Sequence, residues 1–232
     1  MASSAPVRAN ESRPAAAADL AIVLVVFGLG SLAVPLLNPL LRHGNSLGAA
    51  FEAAGFQFFL EGLAPLVLMA LRHESFSTYG FTRSRMVRSL VFAVALAIIY
   101  DLALSLHAGS WLWIPLRRQP AVRMSLAAGM PLGLLGLAVT ILVWGFLEGF
   151  FGVYFARKVN LVVRHHGRGW LAPGVLAFAL FNGGVHLIVG QGLEGFLTSF
   201  ASGYAIAVVP AITGNAWGSA LVQTLTNAVG RL

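Results

Sequence analysis

Residues 20–30 read LAIVLVVFGLG, an apolar run without a charged side chain and without alternation of polar and apolar positions. A strand of a membrane β-barrel needs such alternation over about ten residues, so its absence favours an α-helix. The apolar run continues toward Leu41, which brings it to the roughly 20 residues that a helix needs to cross a membrane. The stretch therefore predicts a first transmembrane helix.

Similar runs follow along the chain. Six more are long enough, or nearly so, to cross a membrane, and they cover residues 47–71, 87–108, 126–156, 170–190, 193–213 and 216–230. The last of them is short. We therefore predict an all-α, polytopic transmembrane helix bundle of about seven spans, with six to eight as the range.

The composition of the whole chain indicates a lipid environment. Of its 232 residues, 58% are hydrophobic and 10% are charged, whereas about a quarter of a soluble domain is charged. The 15 Lys and Arg, 8 Asp and Glu and 6 His are too few to cover a soluble fold of this length. We therefore predict an integral, multi-pass membrane protein with membrane lipid as a partner.

The beginning of the chain has a different composition. Residues 1–18 are rich in Ala, Ser and Pro and lack apolar periodicity, which predicts a disordered tail before a single membrane domain at 19–232. A cleaved signal peptide ending near residues 31–33 is the alternative interpretation of the first apolar run. The run continues past Ala33, which favours an uncleaved span.

The formal net charge of +7 does not indicate a nucleic-acid partner, because the cations lie in short connectors between apolar runs. In membrane proteins such cations set the topology and contact lipid headgroups, and we expect this of Lys158 as of the others. With seven spans and a cytoplasmic N-terminus, ten Lys and Arg fall on the cytoplasmic side and five on the other. We therefore predict a cytoplasmic N-terminus, in a bacterial plasma membrane, and no nucleic-acid binding.

Glycines inside the runs indicate close packing between helices. Gly145 and Gly149 are four residues apart, as are Gly214 and Gly218. This spacing lets helix backbones approach each other in lipid.

The inventory of reactive residues excludes several protease chemistries. The chain has no cysteine, which removes thiolate nucleophiles and Cys-ligated metals. The H-E-x-x-H motif of zinc proteases is absent, and Ser219 lacks the Gly-x-Ser-Gly surroundings of rhomboid enzymes. A presenilin-like pair of intramembrane aspartates fails as well, because Asp101 has only Asp19, at a membrane edge, as a second Asp.

Polar side chains inside the apolar runs are the candidates for a functional site, because an ionisable group there costs at least a few kcal/mol. They are Glu52, Glu61, Asp101, Glu148, His186, Glu194, Gln223 and Asn227. Glu148 lies in WGFLEGFFG, near the middle of a long run, and the next cation, Arg157, is about 13 Å further along the helix. Such a carboxyl group serves as a general base or as a protonated hydrogen-bond donor.

Two amides and one histidine accompany Glu148. Gln223 and Asn227 are four residues apart and share one helix face, from which both amides can donate to a developing oxyanion. The alternative is hydrogen bonding between helices. His186 is either an interior histidine with satisfied hydrogen bonds or a base or ligand.

Glu148, the segment from Phe181 to His186, and ITGNAWGSALVQTLTN at 212–227 together resemble the CPBP family of intramembrane proteases, which includes CAAX prenyl endopeptidases and bacteriocin-processing enzymes. The resemblance covers about residues 125–230. The family carries three motifs, E-E-x-x-x-R, F-x-x-x-H and H-x-x-x-N. It implies a helical bundle in which a glutamate activates water, a histidine assists it, and the third motif holds the oxyanion.

The motifs match in part. Glu148, His186 and Asn227 occupy their places. Gly149 stands for the second glutamate, Val153 for the arginine, Asn182 for the phenylalanine, which is shifted to Phe181, and Gln223 for the third-motif histidine. The resemblance thus implies a site made of Glu148, His186, Gln223 and Asn227, in which Gln223 still offers an N–H. No cofactor is expected; a divalent metal, which has been considered for the family, would be held by Glu148 and His186.

Three functions are compatible with these residues. The first is an intramembrane endopeptidase that hydrolyses membrane-associated peptides or proteins through a water activated by Glu148. The second is a catalytically inactive member of the same family that binds a membrane peptide or acts as a scaffold. The third is a small proton-coupled transporter that uses Glu52, Glu61 and Asp101, and it ranks last because no inverted repeat is evident.

Overall fold

A computed structural model describes residues 12–42, 47–109, 126–165, 167 and 169–227. Every regular element in these ranges is helical, which confirms the all-α prediction for them. The long helices are α1 (Arg13–Arg42), α2 (residues 47–71, made of Leu47–Gln57, Phe58–Leu63 and Ala64–Leu71), α3 (Met86–His107), α4 (Leu132–Val162), α5 (Pro173–His186), α6 (Gly192–Thr213) and α7 (Trp217–Asn227). A short 3₁₀ turn, Phe76–Tyr79, lies between α2 and α3.

Three segments are wound as wider π turns. They are Phe58–Leu63 within α2, Ile141–Leu147 within α4, and Leu187–Gln191 directly after α5. Glu61 lies inside the first of them, Glu148 follows the second, and His186 precedes the third. Such turns occur frequently at functional sites, because they interrupt the regular hydrogen-bond ladder and turn side chains out of register.

The first helix begins earlier than the tail predicted for residues 1–18 allows. α1 starts at Arg13, where the Ala15 N–H donates to Ser12 Oγ at 3.4 Å. Pro14 fits the first turn of a helix, and the alanines that follow favour helix formation. Composition alone misses this start because alanine is common in both tails and helices.

Five segments of the described chain are long and apolar enough to cross a membrane. The longest, Pro173–Thr213, reverses direction at Gly190, whose φ is 84°, so that it forms α5 and α6 as an antiparallel pair. Counting these two separately gives six crossings. Within the described residues α7 has only 11 residues, so the predicted count of seven spans is not confirmed.

Side-chain contacts show which helix ends lie together. Asp19 near the start of α1 contacts Arg72 at the end of α2 and Lys158 near the end of α4. Asn215, between α6 and α7, donates to Thr82 O at 2.7 Å in the connector between α2 and α3. Successive helices run in opposite directions. The start of α1, the α2–α3 connector, the end of α4 and the α6–α7 connector therefore lie at one end of the bundle. The side of the membrane to which this end belongs stays a prediction.

The core of the bundle is built around α4. Its rings Phe150, Phe151, Tyr154 and Phe155 are buried, and Phe151 and Phe155 pack against Phe178 on α5 at centroid distances of 5.9 and 5.7 Å. Large apolar side chains on the outer faces of the helices are exposed instead, among them Val25, Val91 and Ile99. An aromatic interior with an apolar exterior agrees with lipid as the surrounding solvent.

Glycines set the close contacts that were predicted from their spacing. A Cβ on Gly149 would lie 2.9 Å from Ala220 Cα, a Cβ on Gly145 would overlap Thr224 Oγ1, and one on Gly218 would overlap Ser89 O. The packing prediction is therefore confirmed for these three glycines. Gly214 has a different role, because it ends α6 with a φ of 74°.

Candidate functional site

The directions of the helices around α4 determine what surrounds Glu148. Gly152 contacts Phe178, and Gly174 contacts Ala156, so α5 runs antiparallel to α4. α6 runs antiparallel to α5 because the chain reverses at Gly190. α4 and α6 are therefore parallel.

A single contact fixes the relative heights of these three helices. A Cβ on Gly152 of α4 would lie 2.6 Å both from Phe178 of α5 and from Ile206 of α6. One helical turn toward the start of α4 leads from Gly152 to Glu148. On the neighbouring helices, one turn in the same direction leads from Phe178 to Asn182 on α5 and from Ile206 to Ser202 on α6. The polar side chains of Glu148, Asn182 and Ser202 therefore share one height in the bundle.

Hydrogen bonds extend this level to α7. Asn182 Nδ2 donates to Ser199 O at 2.8 Å. Ser202 Oγ donates to Gln223 Oε1 at 3.2 Å and lies 3.3 Å from Thr226 Oγ1. Gln223 is 2% exposed. We call Glu148, Asn182, Ser202 and Gln223 the polar layer.

α7 also reaches the height of Glu148 by direct contact with α4. Gly149 packs on the backbone of Ala220, and Gly145 packs on the side chain of Thr224. Glu148 and Gln223 therefore lie on adjacent helices at similar heights. They are two of the four site residues predicted from the sequence.

A second carboxyl group approaches Glu148 from α2. Glu61 lies in the π turn Phe58–Leu63 and is 8% exposed. The turn that carries it contacts both Ile141–Leu147 and the part of α4 that begins at Glu148. A Cβ on Gly62 would lie 3.2 Å from Leu147 Cδ1, which places this turn of α2 against the residue before Glu148.

His186 lies one helical turn beyond Asn182 on α5, about 6 Å further along the axis. It is half-buried, and its Nδ1 is 2.8 Å from Gln191 Oε1. The residues that follow, Leu187 and Ile188, are exposed. His186 therefore lies at the rim of the polar layer and is oriented by a side chain that the sequence did not single out.

Asn227, the fourth predicted site residue, ends α7. Its side chain lies outside the described residues. Its role as an oxyanion donor stays a prediction.

Two positions that depart from the family motif, Gly149 and Val153, are closely packed inside the bundle. Gly149 has no room for a side chain, since its Cβ would lie 2.9 Å from Ala220 Cα. Val153, in the place of the motif arginine, is 4% exposed. Close approach of α4 and α7 thus accounts for the absence of a second glutamate at this point.

The residues expected to hold a metal do not form a complete ligand set. Within the described ranges, no group of three or more His, Asp or Glu side chains comes together. Glu148 and His186 alone fall short of the three protein ligands that are usual at a catalytic zinc.

Several residues of this region were not assigned to a site from the sequence. The sequence marks Glu61 as a polar group of its run and as part of a possible proton path, and Asn182 as a departure from a motif. Ser202 gave no signal. The helical period relates positions on one helix, whereas these residues come together through packing between helices.

A separate charged cluster lies near the end of α4. Lys158 Nζ is 2.9 Å from Asp19 Oδ2 and 3.4 Å from Glu74 Oε2, and Arg72 Nη2 is 2.8 Å from Asp19 Oδ1. Tyr79 donates to Glu74. We call Asp19, Arg72, Glu74 and Lys158 the buried charge cluster. It corrects the expectation that Lys158 is a headgroup cation, because Lys158 is 0% exposed.

Comparison of the chain with family models, characterised proteins and solved structures finds no match. The resemblance to the CPBP family rests on the motif residues and stays a prediction.

Proposed function

We propose that this protein is a CPBP-like intramembrane endopeptidase that hydrolyses peptide bonds of membrane-associated peptides or proteins. The observation that carries the proposal is the polar layer, in which a half-buried glutamate and a buried amide come from two helices in direct contact. A carboxylate and an N–H donor at one height inside an apolar bundle are the groups that hydrolysis by an activated water requires.

Each side chain has a role in this chemistry. Glu148 accepts a proton from water as the water oxygen attacks the peptide carbonyl. Gln223 uses its amide oxygen to accept from Ser202, so its N–H₂ group is the end that donates to the oxyanion. His186, held by Gln191, assists at the rim, and Asn227 is the second oxyanion donor.

One observation favours the second function, a family member that binds a peptide without cutting it. The place of the second motif glutamate is closed by the contact of Gly149 with Ala220. Without that carboxyl group, binding in the polar layer would continue while hydrolysis would stop. Cleavage by the wild-type protein separates the two functions.

Transport is not proposed. Glu52 is exposed on α2. Asp101 is buried on α3, which packs against α6 and α7. No contact described here links these two groups to Glu61, so no observation favours the transport function.

The first prediction is that Glu148→Gln abolishes peptide hydrolysis and leaves the protein folded. The substitution keeps the size and hydrogen bonding of the side chain but removes the base, which contributes about 10²- to 10⁴-fold to the rate. The measurement uses purified protein in vesicles of phosphatidylethanolamine and phosphatidylglycerol, with a pool of lipidated and unlipidated peptides analysed by mass spectrometry.

Glu52→Gln is the matched control, because Glu52 is an exposed glutamate. It is expected to cleave as the wild type does. Turnover in Glu148→Gln equal to that of the control would overturn the assignment of the base. Peptide binding without cleavage by the wild-type protein would favour the inactive family member.

A further inference from the structure

Glu61 has an oxygen atom that the fold leaves without a hydrogen bond. The residue is 8% exposed, and Glu61 Oε2 has no partner among the described residues. Leaving a buried acceptor unsatisfied costs free energy, and native proteins do so rarely. A catalytic role is one of the recognised reasons for such an atom in a native protein.

The surroundings of this atom lead to Glu148. The π turn Phe58–Leu63 of α2 packs on the end of the π turn Ile141–Leu147 of α4, through the contact of Gly62 with Leu147. Glu61 directly precedes Gly62, and Glu148 directly follows Leu147. Two interrupted helices thus present one carboxyl group each to the same region.

We propose that Glu61 is the general acid of the peptidase, paired with Glu148 as the general base. This inference rests on the proposed function. It places the second carboxyl group of the site on α2, because α4 cannot carry it next to Glu148, where Gly149 packs against α7. Two neighbouring carboxyl groups divide such roles when they share one proton.

The reaction balances with these two groups. Glu148 takes one proton from water while the water oxygen bonds to the peptide carbon, and the carbonyl oxygen becomes the oxyanion. The oxyanion re-forms the carbonyl as the C–N bond breaks, and Glu61 gives its proton to the departing amine. Transfer of the proton on Glu148 to Glu61 restores both groups, and the products are a carboxylic acid and an amine.

A general acid is revealed by substrates that differ only in the leaving group. Cleavage of a peptide amide needs a proton on the departing nitrogen, whereas cleavage of the matching p-nitrophenyl ester does not. Loss of the acid therefore slows the amide and spares the ester. A purely structural defect slows both by the same factor.

The experiment compares the wild type, Glu61→Gln, Glu61→Asp, Glu148→Gln and the control Glu52→Gln in phosphatidylethanolamine and phosphatidylglycerol vesicles, on a cleaved peptide and its p-nitrophenyl ester. We expect Glu61→Gln to lose amide hydrolysis by about 100-fold or more and to keep ester hydrolysis within about threefold. Glu61→Asp, which keeps a carboxyl group, should retain more amide hydrolysis than Glu61→Gln. Glu148→Gln should lose both reactions.

Two results would overturn the role of Glu61 and leave the proposed function standing. They are amide hydrolysis by Glu61→Gln at the wild-type rate, and equal loss of amide and ester hydrolysis in Glu61→Gln and Glu61→Asp. A wild-type protein that cleaves neither substrate would overturn the proposed function itself, and this inference with it.

Discussion

Lys158 shows what a single residue contributes at the end of α4. Its ammonium group is within hydrogen-bond or ion-pair distance of Asp19 and Glu74 and lies 4.9 Å from the ring centroid of Tyr154. Removing one partner of a buried ion pair leaves the other charge uncompensated. The cluster therefore matters more for stability than an exposed cation such as Arg88.

We predict that Lys158→Met lowers the free energy of unfolding by about 3–5 kcal/mol, because it leaves the buried carboxylate of Asp19 without its inner partner. The measurement is denaturant unfolding in detergent. Arg88→Met, which removes an exposed cation on α3, is the control and should change stability by less than about 1 kcal/mol. Equal effects of the two substitutions would contradict the structural role of the cluster.

At the scale of residues, the sequence identifies polar groups but not their neighbours. Glu148, His186 and Gln223 could be singled out because each interrupts an apolar run. The approach of Glu61 to Glu148 could not be predicted, since it depends on how α2 packs on α4. Lys158 was misassigned for the same reason, because burial is a property of the packed bundle.

At the scale of elements, the contact between α4 and α7 is set by glycine. Gly149 lies on the backbone of Ala220, whereas a Cβ on Gly184 of α5 would meet no atom within 4 Å. Replacing each of these glycines by alanine therefore distinguishes the cost of disturbing close packing from the gain in helix propensity. It also tests whether α4 has room for a glutamate at this position.

Gly149→Ala is expected to destabilise the protein by about 1–3 kcal/mol, because the added methyl group forces α4 and α7 apart. Gly184→Ala should be neutral or stabilise by up to about 1 kcal/mol, since alanine favours the helix. Thermal unfolding in detergent measures both. A neutral Gly149→Ala would show that the helices separate without cost, and a glutamate there would then become acceptable.

The turn between α6 and α7 is another element held by side chains. Asn215 is buried and donates to Thr82 O and Ser84 O at 2.7 and 2.8 Å. Ser89 Oγ donates to Asn215 O and accepts from Gly218 N. Residues of the GNAW segment that carried the family resemblance thus connect α7 to the start of α3 and so fix the height of Gln223.

At the scale of the whole molecule, six membrane crossings place successive connectors on alternate sides of the membrane. Residue 163 follows α4, and residue 189 lies in the reversal after α5. If α5 crosses the membrane, these two positions face opposite compartments. The chain has no cysteine of its own, so a single introduced thiol reports its own location.

We predict that Val163→Cys and Val189→Cys react with an impermeant maleimide from opposite sides of the membrane, with Val163→Cys on the cytoplasmic side. Both side chains are exposed, at 52% and 49%. The measurement is labelling of intact cells and of inverted vesicles. Labelling of both positions from one side would contradict the crossing of α5, and exchange of the two sides would contradict the predicted orientation.

The fold as a whole was predictable as far as it depends on composition and on the pattern of apolar residues along the chain. Apolar runs located α1 to α6, with ends displaced by up to seven residues at the start of α1 (13 against 20) and by six at both ends of α4, because lipid requires long apolar helices. The π turns at Phe58–Leu63 and Ile141–Leu147 were not predictable. They depend on contacts between helices, which a period along one helix does not contain.

The buried charge cluster also has a consequence for biogenesis. Asp19 and Lys158 are 139 positions apart, so at about 5–20 residues per second the ribosome makes the lysine about 7–28 s after the aspartate. During that interval the first helix has already left the ribosome with a carboxylate whose inner partner does not yet exist. The inner ion pair that neutralises Asp19 in the folded bundle therefore forms only after a residue three helices later has been synthesised.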